Sequence, residues 1–365
     1  MPTIGVMVTM TSSMTRRDAM KWFGAAGGAL AVGAAMPLAT AAPAADELRV
    51  LAINIWMGAS KIPGGIGLVA DLIIDTRASV VLLSEANQAT KAIAAALEKK
   101  GQKFEAVASG DTGVLSAFPV EESADLGWMV KARLSVGDKR VTAYAAHLEY
   151  RWYATYLPRG YGAGVPAPGE YSEFGWNKLP GGPVTDPVAV QRVNVASKRP
   201  EAIGAFLEDA KAEAAAGSSV LMGGDFNEPS ALDWTPAAAN LFDHNGVVLP
   251  WESTRRLQQA GFVDAYRSRY PDPVTHPGFT WPASNPDAPV SQLTWAPEAD
   301  ERDRIDYIFA GPGAALRLAD VGIVGPRGSI VRNARRDENT QDNFLASPQK
   351  WVTDHKAVLA TYQLT

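Results

Sequence analysis

The 365-residue sequence contains no cysteine. That excludes disulfides, thiolate metal centres, cysteine nucleophiles and a lipid-modified N-terminal cysteine. Histidine is scarce, with only His147, His244, His276 and His355, and their spacing does not suggest a multi-histidine zinc site. Basic residues are in deficit, 34 Lys and Arg against 39 Asp and Glu. Proteins that track polyanionic nucleic acid ordinarily carry a basic face, so this balance argues against long DNA unless a local basic patch overrides it. No internal repeat or low-complexity linker interrupts the chain after Glu47. What is present, 47% hydrophobic and 20% charged residues, is the composition of a soluble globular protein, long enough for one large domain or two ordinary ones.

Residues 1–41 read as an export leader. Thr15-Arg16-Arg17-Asp18-Ala19-Met20-Lys21 resembles the twin-arginine motif, with Ala19 where its usual Phe stands. An apolar, Ala/Gly-rich stretch follows from Trp22 to Leu38, and Ala39-Thr40-Ala41 offers small-residue cleavage positions. Few large apolar side chains occur there, which weighs against a retained membrane anchor. The expectation is a periplasmic or secreted protein with one domain over 46–365. Loss of Arg16, Arg17 and Lys21 against Asp18 leaves it more acidic than the whole-chain charge of −5.

From Glu47 onward strands and helices alternate. Leu48–Trp56, Val80–Leu83, Gly113–Phe118, Lys131–Val136, Val141–His147, Ser219–Gly223, Arg304–Phe309 and Ala357–Tyr362 have the length and β-branching of strands. Gly67–Thr76, Thr90–Lys100 and Val190–Ala215 have helical periodicity. The stretch 149–187 breaks the pattern, with many aromatic residues among glycines and prolines, and a loop of that length inside a domain is more often functional than idle.

Polar residues recur where core strands have no structural use for them. Asn54 interrupts one strand, Glu85 closes a second, His147 ends a third and Gly224-Asp225-Phe226-Asn227 follows a fourth. Asp306 lies inside Arg304–Phe309, and Asp354-His355 precedes the last strand. Buried carboxylates are costly unless paired or metal-bound, so several at adjacent strand ends point to one shared site. Oxygen donors without thiolates suit a hard ion such as Mg²⁺, with Mn²⁺ as a substitute. A His–Asp pair can act as general base on water, and Asn with a second His can stabilise charge on a phosphoryl group. Together these types describe metal-assisted hydrolysis of a phosphate ester.

In this order, the segments resemble the endonuclease/exonuclease/phosphatase superfamily over nearly the whole chain after Leu48. The match rests on Asn54, Glu85, Ala146-His147-Leu148, the Gly-Asp-x-Asn pair Asp225 and Asn227, the Arg-x-Asp-Tyr strand with Asp306, and Thr353-Asp354-His355. In Gly113–Val120 the Arg that some relatives carry is replaced by Ala117. The resemblance implies an α/β fold, a four-layer αββα sandwich of two mostly antiparallel sheets flanked by helices. It further implies that Glu85 binds Mg²⁺ with Asn54, directly or through water, and that Asp354 completes a second metal position. His355, oriented by Asp306, would activate or position water, Asp225 would orient it, and Asn227 and His147 would hold phosphoryl oxygens. Whether His355 or Asp225 takes the proton stays open, and no covalent intermediate is implied.

For substrate contact the candidates are Trp281, in Gly278–Pro282, and Arg151 and Trp152 of the insertion, with Arg159 and Lys178 as further basic groups. The insertion's aromatic residues have a plain alternative, packing that loop onto the body. The expected activity is an exported Mg²⁺-dependent phosphoesterase acting on small-molecule or lipid-derived phosphate esters, with no obligate protein partner. A secreted nuclease is the alternative within the same chemistry. A catalytically dead ligand-binding module on the same fold is the alternative outside it, disfavoured because every expected catalytic position holds its expected residue type.

Overall fold

A computed structural model describes residues 47–164, 171–346, 348 and 350–365. The expected leader, residues 1–41, and part of the aromatic insertion, residues 165–170, lie outside the described residues. By contacts the chain separates into Met1–Ala42 and Pro43–Thr365, and every described residue belongs to the second unit.

Alternation of apolar side chains along the strands generates two large sheets. The first contains β1 (Glu47–Asn54), β2 (Val80–Ser84), β3 (Glu105–Ser109), β4 (Thr112–Ser116), β11 (Leu316–Val324), β14 (Phe344–Leu345) and β15 (Ala357–Leu364). Its order is β14-β11-β15-β1-β2-β4-β3. The second contains β5 (Val120–Asp125), β6 (Met129–Val136), β7 (Lys139–His147), β8 (Ser219–Asp225), β9 (Val263–Asp264) and β10 (Asp306–Ala310), in the order β5-β6-β7-β8-β10-β9. A two-stranded ribbon joins β12 (Ser329–Val331) to β13 (Ala334–Arg336). Most pairings are antiparallel, but β1–β2, β7–β8 and β11–β14 are parallel, so both large sheets are mixed.

The period of two splits each strand between two cores. Val50, Ala52, Val80 and Leu82 face Ala132, Ala143, Leu221 and Ile308 across the inter-sheet core. Their neighbours Leu51, Ile53, Val81 and Leu83 pack against Val69, Leu72 and Ile73 of the helix Gly65–Thr76 and Ile93 and Leu97 of the helix Thr90–Lys99. On the other side Tyr144, Met222 and Phe309 pack on Ile203 and Phe206 of the helix Arg199–Ala215. The outcome is the expected sandwich, helix, sheet, sheet, helix.

Two details position the site. Gly224 has φ +127°, and a Cβ there would stand 2.1 Å from the Ala146 carbonyl oxygen, so β7 and β8 approach closely only with glycine at this point. In the parallel β7–β8 register His147 lies beside Asp225, while antiparallel β8–β10 sets Asp225 opposite Asp306. Three polar residues, distant in sequence, thus share one edge. The helical run Val190–Ala215 is two helices, Pro187–Ala196 and Arg199–Ala215, parted at Lys198, whose φ is +65°.

Candidate active site

Strand ends deliver the polar residues to one cavity of about 450 Å³. Its floor holds Glu85, Asp111, His147, Asp225, Asn227, Asp354 and His355. Asp225 is buried and lies between two imidazoles: His355 Nε2 is 3.7 Å and His147 Nε2 3.8 Å from its Oδ2. His355 Nδ1 is 2.9 Å from Asp306 Oδ2, and His147 Nδ1 is hydrogen-bonded to Asp111. Each imidazole is thus held by one carboxyl group and turns its other nitrogen towards Asp225. The His147 Nε2 is buried without a hydrogen-bond partner, leaving it available to a substrate oxygen.

Asn54 is a clamp. Its Nδ2 donates to Glu85 Oε1 at 3.1 Å and to Asp225 Oδ2 at 2.9 Å, and its Oδ1 accepts from Trp56 N at 2.9 Å. The second oxygen of Glu85 accepts from Met57 N at 2.7 Å. Asp225 Oδ1 accepts from Asn227 N at 2.8 Å, and Asn227 Nδ2 donates to the Leu148 carbonyl at 3.1 Å. Thr280 ties two site segments together, because its Oγ1 accepts from Ile305 N and Asp306 N and its carbonyl accepts from Lys356 N.

The electrostatics follow from burial and proximity. Burial alone would lower the His355 pKa, but the charges of Asp306 and Asp225 outweigh it and raise it to about 10. For His147 the same opposition, with Asp111 first and Asp225 next, ends at about 9. Burial pushes Asp225 up to about 6 against the pull of His355. Asp354 is likewise raised to about 6 by burial, with the charge of Glu85 contributing. Near neutrality both imidazoles are therefore cations and Asp225 is an anion.

Glu85 and Asp354 both bring carboxylate oxygens to the cavity. Asp354 is buried with Glu85 as an electrostatic neighbour, and such crowding is relieved by a divalent cation. A hard ion fits Glu85 and Asp354. Asn54, engaged at both ends by the protein, acts on Glu85 as a support. A second cluster with ligating capacity, Asp225, Asp306 and His355, brings one atom from each within 4.8 Å of the others.

Of the residues singled out from sequence for substrate contact, Trp281 lines the cavity. Arg151 and Trp152 do not: Arg151 Nε donates to Glu149 Oε1 at 2.8 Å and its guanidinium lies over the Trp152 ring. Arg159 is buried on Asp303, and Lys178 pairs with Glu298 at the surface. The insertion instead contributes Tyr150, Tyr153, Tyr156 and Trp176, joined by Trp56 and Trp295. Among the described lining residues there is no Lys and no Arg. Asp111 escaped the sequence reading because Gly110-Asp111-Thr112 has the composition of a turn.

The model of the endonuclease/exonuclease/phosphatase family matches residues 51–355. The chain belongs to this family. The family is that of endonucleases, exonucleases and phosphatases, whose common chemistry is cleavage of phosphate esters. A Caenorhabditis elegans protein described as uncharacterized, F14F9.5, is 31% identical over 144 residues, which are 39% of this chain. The match spans 40% of that relative's length. Among solved structures, Danio rerio TDP2 complexed with a single-strand DNA product is similar at 14% identity and TM-score 0.49, over 87% of this chain and 99% of that one. The human Nocturnin catalytic domain with bound sulfate is similar at 11% identity and TM-score 0.48, over 87% and 95%.

Proposed function

We propose that this chain is an exported, Mg²⁺-dependent phosphoesterase that takes compact phosphate esters, small-molecule or lipid-derived, in preference to long DNA. The observation that carries the substrate class is the cavity: a polar floor under aromatic walls, without a single Lys or Arg among the described lining residues. A polymer backbone needs a row of cations along its path, whereas one phosphoryl group needs only a local cluster. The deficit of basic residues over the whole chain agrees. Export rests on the twin-arginine-like segment alone.

Glu85 and Asp354, with Asn54 supporting Glu85, would hold the metal. When bound, the ion supplies charge neutralisation at the phosphoryl oxygens and orients the ester. Asp225 accepts the proton of the attacking water, being the anion that stands between the two imidazoles. His355, fixed by Asp306, and His147, fixed by Asp111, each turn a charged Nε2–H towards Asp225 and stabilise the negative charge that gathers on the phosphoryl oxygens. Asn227 gives its backbone N–H to Asp225 and so fixes the carboxylate's orientation.

The test is a panel of bis-(p-nitrophenyl) phosphate, p-nitrophenyl phosphate, sphingomyelin and plasmid DNA, run with Mg²⁺ and with EDTA beside His355→Ala. Metal-dependent turnover of the small esters, abolished by His355→Ala, is expected. A strong preference for plasmid DNA, with activity falling steeply as salt rises, would make the chain a nuclease instead. Ligand binding without turnover in Mg²⁺ and Mn²⁺ would make it a binding module.

A further inference from the structure

We propose that Ser84 is a positioning residue for the reaction, a hydroxyl staple that crosses from one sheet to the other and fixes Asp225 relative to Glu85. The inference rests on the phosphoesterase reading of the same site and adds a residue that this reading does not use.

Ser84 ends β2, immediately before Glu85, and is fully buried. It belongs to the first sheet, yet both hydrogen bonds of its hydroxyl go to the second. Oγ donates to the Ala146 carbonyl at 2.8 Å and accepts from Asp225 N at 2.9 Å. The direction is fixed, because a carbonyl can only accept and an amide N–H can only donate. Ala146 precedes His147, which lies beside Asp225 in the parallel β7–β8 register. One hydroxyl therefore grips both strands at the point where they enter the site.

The backbone there is shaped for the crossing. A Cβ on Gly223 would stand 2.6 Å from the Tyr307 carbonyl oxygen and 2.8 Å from Leu82 Cδ1, a β2 side chain of the opposite sheet. Glycine at this position lets β8 close on β2, within reach of a side chain as short as serine. Leu82 lies in the inter-sheet core, and Ser84, two residues on, points into the same space.

Asp225 is thereby held from both sheets. From its own side, Leu148 N donates to its carbonyl at 3.0 Å and Asn227 N to Oδ1 at 2.8 Å. From the other, Ser84 Oγ takes its N–H and Asn54 Nδ2 donates to Oδ2 at 2.9 Å. Asn54 and Ser84 are partners in the β1–β2 register, so the two contacts arise side by side. Apolar packing between sheets is non-directional and leaves them free to shift slightly, whereas these bonds set a separation. Loss of the Ser84 hydroxyl leaves the donors to Glu85, Asn54 Nδ2 and Met57 N, in place. Its effect falls on the carboxylate that accepts the proton of water, and a small misplacement of such a group lowers turnover rather than binding.

The experiment follows bis-(p-nitrophenyl) phosphate with the full chain, in Mg²⁺ and in EDTA. Wild type is compared with Ser84→Ala, and Ser84→Thr with Ser84→Val, a pair alike in shape that differs in the hydroxyl. Val136→Ala is the control for lost stability, since buried Val136 pairs with Lys139 at the end of β6 remote from the site. In Ser84→Ala, kcat should fall by about 10–100-fold, with KM and the calorimetric affinity for Mg²⁺ within about threefold of wild type. Ser84→Thr should exceed Ser84→Val in kcat by about tenfold, whatever the added methyl costs both. Val136→Ala should keep wild-type kcat although urea unfolding shows it destabilised. Wild-type kcat in Ser84→Ala, or equal kcat in the Thr and Val variants, overturns the staple. So does a loss confined to Mg²⁺ affinity, or an equal fall of kcat in Val136→Ala, which would make the role of Ser84 merely structural.

Absence of turnover in the wild type would count against the phosphoesterase reading and not against the staple. Crystal structures of the wild type and Ser84→Ala then decide it, through the separations of Asp225 Oδ2 from His147 Nε2 and His355 Nε2, which are 3.8 and 3.7 Å. A change of about 0.5 Å or more in either sustains the positioning role, and a smaller change in both sinks it.

Discussion

Asp306 and His355 form a fully buried acid–imidazole pair behind the cavity floor, Oδ2 to Nδ1 at 2.9 Å. Asp306 is the largest of the charges that raise His355. Asp306→Asn keeps the shape and removes that charge, so the imidazole is less often cationic and is free to change tautomer. A fall in kcat of about 10²–10⁴ with KM altered only severalfold is expected, since the lost interaction belongs to the transition state. Steady-state kinetics on bis-(p-nitrophenyl) phosphate measure it. A variant with wild-type kcat would remove His355 from the chemistry.

A bell-shaped pH profile follows from the two kinds of charge. Asp225 must be ionised to accept a proton, and it is raised to about 6. His147 must be protonated to stabilise phosphoryl oxygens, and it is raised to about 9. Activity should therefore rise through pH 6 and decline above pH 9. Asp111→Asn removes the hydrogen-bonding charge behind His147 and should draw the alkaline limb downwards, leaving the acid limb in place. Profiles of kcat/KM for the two proteins test this, and superimposable alkaline limbs would exclude His147 as their source.

Much of this floor was legible in the sequence because strands end abruptly. Asn54, Asp225 and His147 terminate β1, β8 and β7, where a polar group closing an apolar run has no packing role. The aromatic wall was legible only as a region. Arg151 folds back on Glu149 two residues away, whereas Tyr153 and Tyr156, a few residues further, turn into the cavity, and nothing in an irregular loop's sequence has a period that separates the two. The strands β3 and β5 were missed for a related reason. Val120–Asp125 is mostly exposed and rich in Glu, as an edge strand guarding against further pairing is expected to be, and carries no core signal. β11 hides behind a register shift between Leu318 and Asp320.

Metal affinity should depend on a residue that need not touch the metal. Asn54 Nδ2 spans Glu85 and Asp225, so Asn54→Ala leaves the Glu85 carboxylate without one of its two orienting donors. The Mg²⁺ concentration for half-maximal activity should rise by about 10–100-fold, the usual effect of removing a group that orients a ligand. Glu85→Gln should raise it further, and Asp354→Asn should act in the same direction. Calorimetric titration of Mg²⁺ into each variant reads the binding directly, and unchanged affinity in Glu85→Gln would move the ion to the Asp225, Asp306 and His355 cluster.

Away from the site, His244 couples stability to pH. Its ring stacks on Trp234 with centroids 3.7 Å apart at 16°, and it is only 3% exposed. Burial first, and then the charge of Arg159, lower its pKa to about 3. The unfolded chain carries an ordinary histidine near pH 6.5, so below that pH it binds a proton that the folded chain refuses. This contribution is therefore fully present above pH 6.5 and is lost as pH falls from there towards about 3. At pH 5 the loss amounts to about 2 kcal/mol. His244→Phe keeps an aromatic ring against Trp234 and has no proton to bind. Urea unfolding at pH 7.5 and pH 5 should show the wild type losing about 2 kcal/mol more than the variant over that interval. The other carboxylates and imidazoles titrate alike in both proteins, so the difference isolates His244, and parallel losses would mean that it is protonated inside the fold.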